Sequence, residues 1–166
     1  MGASLGRSEP GVFEILQVED NAGDVVLTRN ALKDSRFRFN LSVVENGEDA
    51  LAFLRREGKY AEAPRPSLVL LDLEMPRMGG LAVLSEMKKD PELVRIPVLV
   101  FTSSRSDEDI LRCYELGANA FIAKPEEVEQ FSNVVKVIED FWFQIAKLPP
   151  AKTPPTPPQG ARKIAS

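Results

Sequence analysis

Five short apolar runs rich in Val, Ile and Leu punctuate this chain, at residues 13–18, 40–44, 68–71, 96–101 and 120–123. Stretches of helical character separate them. Runs that are apolar almost throughout need cover on both faces, as strands have in a parallel sheet between helical layers. The second run partly alternates with polar residues from Phe37 to Val44, which suits an edge position. Right-handed crossovers join such strands. The expected fold is therefore α/β: a doubly wound, five-stranded parallel sheet with helices on both faces.

The helices carry their own punctuation. The first is expected over 22–33, with Val25, Val26 and Leu32 on its apolar side. The second follows Asn46 as N-cap, with Asp49 three residues on. It turns Ala50, Leu51, Phe53 and Leu54 inward and ends near Gly58. The third runs over 80–89 and stops where Pro91 restricts Asp90. The fourth starts at Ser106, with Asp109 placed as in a capping box and Gly117 as its stop. The fifth is expected to open at Pro125, with Glu126 and Glu127 beside its positive end.

Residues 12–147 are expected to form the folded unit. Residues 1–11 read as a flexible arm. Residues 148–166, with Pro149-Pro150, Pro154-Pro155 and Pro157-Pro158, read as an extended, disordered tail. A net charge of −4 and a pI near 5.1 argue against nucleic acid as the partner. No apolar stretch is long enough to span a bilayer, so no membrane role is expected. The single cysteine, Cys113, fits a reducing compartment, and the expected location is the cytoplasm. Histidine is absent, which removes Ser–His and Cys–His catalysis and histidine metal sites. The chain also cannot be its own phosphohistidine donor.

In doubly wound sheets ligands bind beyond the carboxyl ends of the strands. At those ends this chain places Glu19-Asp20, Asp72, Thr102 and Lys124. Clustered carboxylates repel unless a proton or a cation joins them. An all-oxygen set suits Mg2+. An Asp carboxylate can accept a phosphoryl group, while an ammonium and a hydroxyl neutralise its equatorial oxygens. Taken singly, each residue has a plainer explanation as a cap, a turn or a surface charge; the constellation is what carries the reading.

The segments Val18-Glu19-Asp20-Asn21, Asp72-Leu73-Glu74-Met75-Pro76 with Met78-Gly79-Gly80, Thr102-Ser103, and Phe121 three residues before Lys124-Pro125 resemble the receiver domain of two-component response regulators. The resemblance covers roughly residues 13–143. It implies the flavodoxin-like strand order 2-1-3-4-5, with Asp72 as phosphoacceptor. Asp20 and Asp72 would then ligate Mg2+ directly, Glu19 through water, and Glu74 through its backbone carbonyl. Thr102 and Lys124 would contact the phosphoryl group. Thr102 and Phe121 would form the switch that repacks the surface of helix four, strand five and helix five. Two departures stand out. The acidic pair is Glu-Asp, one methylene longer at its first member, and the aromatic switch residue is Phe, without a phenol oxygen.

The resemblance implies a stand-alone regulator partnered by a histidine kinase, with no enzymatic activity beyond its own phosphorylation and dephosphorylation. No room is expected for a DNA-binding domain. On the fifth helix Val128, Phe131, Val135, Ile138, Trp142 and Ile145 form one expected buried stripe, and Val134, Val137 and Phe141 a second apolar side. Phe141, Trp142 and Phe143 are the expected surface of a homodimer. The Phe-Trp pair, Leu148-Pro149 and the long segment 58–66 are similar to stand-alone receivers served by bacterial phytochrome-type histidine kinases. Two rival readings stay open. One is a haloacid-dehalogenase-type phosphohydrolase, which would normally carry Asp where Glu74 stands. The other is an interaction module that works without phosphorylation.

Overall fold

The computed structural model describes residues 11–150. In chain order the elements are β1 (Val12–Val18), α1 (Ala22–Lys33), β2 (Arg38–Val44), α2 (Gly47–Arg55), a short 3-10 turn (Gly58–Tyr60), β3 (Leu68–Leu71), α3 (Gly80–Lys89), β4 (Val98–Thr102), α4 (Asp107–Glu115), β5 (Ala120–Ala123) and α5 (Val128–Asp140). A single π turn (Phe141–Ile145) continues α5. The five strands are all parallel and lie in the order β2-β1-β3-β4-β5, as expected. The partly alternating strand, β2, is at an edge.

The three central strands are mostly apolar because alternate residues enter different layers, with Glu14 and Gln17 of β1 the buried polar exceptions before Thr102. Leu16, Val18, Val69, Leu71, Val98 and Val100 pack on one face with α2, α3 and Cys113 of α4. Ile15, Leu68, Leu70 and Leu99 pack on the other, joined by Phe101, α1 and α5. Both layers end at the carboxyl edge of the sheet, where the polar residues begin.

Three caps fall where the sequence puts them. Asn46 accepts from the Asp49 N–H, and Ser106 from the Asp109 N–H. Gly117 adopts φ +94°, a left-handed conformation suited to a helix stop. α2 ends at Arg55, and Arg56 takes the left-handed cap position; Gly58, also left-handed at φ +59°, opens the 3-10 turn that follows.

Other expectations are corrected. Val26 points outward, 53% exposed, and Thr28 takes the inner position. Its hydroxyl accepts from Gln17 Nε2 and donates to the Asp24 carbonyl, each at 3.1 Å, so it is buried without an unmet hydrogen bond. α5 starts at Val128 with Glu127 as N-cap, not at Pro125. Within its stripe Phe131, Val135 and Ile138 are buried, but Val128 and Ile145 lie in the open. Phe143, expected on an outer dimer surface, is buried. Its ring centroid sits 4.2 Å from that of Phe13 and 5.1 Å from that of Phe39. The π turn is the cause: its extra residue advances the helix phase, so the inward position after Ile138 falls at 143 instead of 142. Leu148, assigned to the tail by its sequence, packs against the same aromatic cluster. Residues 1–10 of the expected arm and 151–166 of the expected tail lie outside the described residues.

Candidate functional site

Strand register assembles the site. Val18 pairs with Leu71, and Leu71 with Val100, so Glu19, Asp72 and Thr102 leave three neighbouring strands at one edge. The ladder continues past the strand ends. Asp72 donates its N–H to the Val18 carbonyl at 3.0 Å, and Lys124 donates its N–H to the Thr102 carbonyl at 2.7 Å. Glu19, Asp72, Thr102 and Lys124 are all buried, and Asp20 is exposed. Glu74, two residues after Asp72, is exposed.

One carboxylate oxygen each from Glu19, Asp20 and Asp72 lie within 4.8 Å of one another. Two buried members and one open to water suit a hard cation that keeps part of its hydration shell, so the donor set fits Mg2+. The backbone around Asp72 is fixed closely. Its Oδ1 accepts the Leu73 N–H at 2.8 Å. A side chain at Gly80 would collide with the Asp72 carbonyl, so only glycine lets α3 begin this near the acceptor.

Lys124 reaches into the acidic cluster. Its Nζ donates to Glu19 Oε1 at 2.5 Å and to Asp24 Oδ2 at 2.8 Å, and lies 3.7 Å from Asp72 Oδ2. Burial pushes the Glu19 carboxyl up to about 7; the Lys124 hydrogen bond opposes this and the Asp72 charge adds to it. Burial alone would lower the Lys124 ammonium, but hydrogen bonds to Asp24 and Glu19 outweigh it and hold the group above its ordinary value. The excess of carboxylates over the one ammonium leaves the pocket able to take a cation.

Asp24 was not expected here. It sits one helical turn beyond Asp20 in the first turn of α1, and i,i+4 spacing from a site residue at a helix start is the signal that could have found it. Two further groups frame the exit from the site. Arg105 bonds the Ser103 and Lys124 carbonyls at 3.0 Å each and ties together the loops after β4 and β5. Tyr114 of α4 accepts the Phe121 N–H of edge strand β5 at 3.2 Å. The Phe121 ring is half-buried against the core. On the far side, Phe141 is exposed and Trp142 half-buried, their rings T-shaped with centroids 5.4 Å apart.

Residues 15–136 match the family model of the response regulator receiver domain. The chain belongs to that family. It is 40% identical over 137 residues to the response regulator Rcp1 of Synechocystis sp. (strain ATCC 27184 / PCC 6803 / Kazusa), covering 82% of this chain and 93% of Rcp1. Among solved structures, the phosphorylated cyanobacterial phytochrome response regulator RcpA superposes with a TM-score of 0.81 at 43% identity, over 83% of this chain and 99% of that one. The Mn2+-bound form of Rcp1 gives 0.80 at 39%, with the same coverage. Receivers of this family pair with histidine kinases and bind a divalent metal. Among the described residues of this receiver, no helix is long and apolar enough to cross a membrane.

Proposed function

We propose that this receiver is a stand-alone cytoplasmic response regulator, with residues 12–147 as its working unit, that accepts a phosphoryl group on Asp72 from a histidine kinase. The observation that carries the reading is the convergence of Glu19, Asp20, Asp72, Thr102 and Lys124 at one sheet edge. An Asp72 carboxylate oxygen forms the new P–O bond as the P–N bond of the kinase phosphohistidine breaks, and the released imidazole nitrogen takes a proton from water. The donor must be external, because the chain has no histidine.

Glu19, Asp20, Asp72 and the Glu74 carbonyl would hold Mg2+. When bound, the ion screens the carboxylates and neutralises phosphoryl oxygens. Lys124 and Thr102 contact the remaining phosphoryl oxygens. Thr102 moving towards the phosphoryl group draws Phe121 inward, and the surface of α4, β5 and α5 repacks. With no phenol oxygen at 121, the two states differ by packing. Loss of the phosphoryl group by hydrolysis is the only other chemistry assigned, and it acts on the protein itself.

The kinase is assigned to the phytochrome type on the similarity to RcpA, a cyanobacterial phytochrome response regulator. Output runs through protein contacts, including a homodimer on the outer face of α5 and its π turn, where Val137, Phe141 and Ile145 are exposed.

The reading is tested with Mg2+ and beryllofluoride, a mimic of the phosphoryl group. Wild-type protein binds the mimic only with Mg2+, and Asp72→Asn does not bind it. Metal-independent binding, or equal binding by Asp72→Asn, removes the assignment.

A further inference from the structure

We infer that Asp24 is a positioning residue that holds Lys124 away from Asp72 until a phosphoryl group arrives. The inference rests on the reading of Asp72 as phosphoacceptor. Lys124 Nζ is hydrogen-bonded to Glu19 and Asp24, and at 3.7 Å it lies beyond hydrogen-bond reach of Asp72. Two of the three ammonium N–H donors are committed to these carboxylates, so Lys124 can turn more than one N–H onto phosphoryl oxygens at Asp72 only by giving up a partner.

The partners differ in what they lose. The Glu19 side chain is 2% exposed, so without Lys124 its charge would have little water to turn to. The Asp24 side chain is 21% exposed and can be rehydrated where it stands. Its backbone is meanwhile fixed, since its N–H donates to the Asn21 side-chain cap at 3.0 Å. Asp24 is therefore the releasable clasp. Transfer raises the negative charge beside Asp72, and that charge draws Lys124 across.

The clasp taxes the phosphorylated state and the transition state leading to it. It has little effect on phosphate loss, because Lys124 is already on the phosphoryl oxygens in the phosphorylated protein and in the transition state for hydrolysis. Asp24→Asn keeps shape and a hydrogen-bond acceptor and removes the charge. At saturating Mg2+ it should bind beryllofluoride about fivefold tighter than wild type, the size expected for one partly exposed charged hydrogen bond. With acetyl phosphate as donor, Asp72 forms its P–O bond as the donor P–O bond breaks and acetate leaves. That step should quicken by a similar factor, while dephosphorylation stays within about twofold.

The metal-free protein supplies an independent readout. The Lys124 ammonium should give a slowly exchanging 15N–1H signal in wild type that shifts and exchanges faster in Asp24→Asn, where Glu19 is its one remaining charged hydrogen-bond partner. Asp24→Ser, which keeps a small polar residue in the first turn of α1, should reproduce both results if Asp24→Asn folds poorly. Folded variants that bind the mimic no tighter than wild type, or whose ammonium signal is unchanged in position and exchange, overturn the clasp alone. Failure of wild type to bind the mimic with Mg2+ overturns the phosphoacceptor reading, and the clasp with it.

Discussion

Glu139 on α5 is buried at 5% exposure, and its Oε2 has no hydrogen-bond partner among the described residues. Burial raises its carboxyl above the ordinary range, opposed by a hydrogen bond to Ser35. It borders a cavity of about 290 Å3 shared with Asp34, Arg36, Lys136 and Asp140. The folded protein thus holds a proton at pH values where the unfolded chain has lost it. Stability from this group is complete below the ordinary Glu range and falls as pH rises through the raised value. Glu139→Gln should therefore match wild type near pH 4 and exceed it by about 1 kcal/mol near pH 8, the cost of an unsatisfied buried polar group. Urea unfolding across that range checks the sign; a gain that shrinks with rising pH refutes it. Glu139 illustrates what the sequence withholds at this scale. Asp72, Thr102 and Lys124 were legible because each directly follows or ends an apolar run. Asp24 and Glu139 lie on helices between apolar and polar neighbours, where only packing decides whether a carboxylate meets water or protein.

The helices show where periodicity works and where it fails. The helix starts after Asn46 and Ser106 were readable because a capping side chain is a local device. The start of α5 was misplaced because Pro125 permits a helix there without requiring one. The end of α5 was misread because a 3.6-residue period was extended into a π turn, whose shifted phase no composition signal marks. The consequence is a division of labour between two nearby aromatics. Phe143→Ala should cost about 3 kcal/mol, as for a large ring removed from a core. Phe141→Ala should change stability by about 0.5 kcal/mol or less, as for an exposed site. Phe141→Glu should split the proposed dimer and leave the monomer folded. Unfolding curves with light scattering over a concentration series check both parts. A cheap Phe143 truncation would contradict the core placement, and monomer mass for wild type would end the dimer proposal.

Over the whole molecule, the apolar runs revealed parallel strands, but not their order. Continuous hydrophobicity says that a strand is covered on both faces and is silent about its neighbours. The order 2-1-3-4-5 came from resemblance, through motifs at four strand ends. That order matters for function. It puts β5, with Phe121, at the edge beside β4, with Thr102, and leaves the Phe121 N–H to the Tyr114 hydroxyl of α4. A displacement of Thr102 at the site is thus one strand from a backbone hydrogen bond that ties α4 to the sheet. With Mg2+ and beryllofluoride, the amide signal of Phe121 and the ring signals of Tyr114 should shift in wild type. Thr102→Ala keeps the acidic triad and Lys124, so it should still bind the mimic, while those shifts are lost. NMR titration of both proteins decides the matter. Equal shifts in Thr102→Ala would mean that the surface responds through another route, with the Lys124 loop and its Arg105 tether the next path to examine.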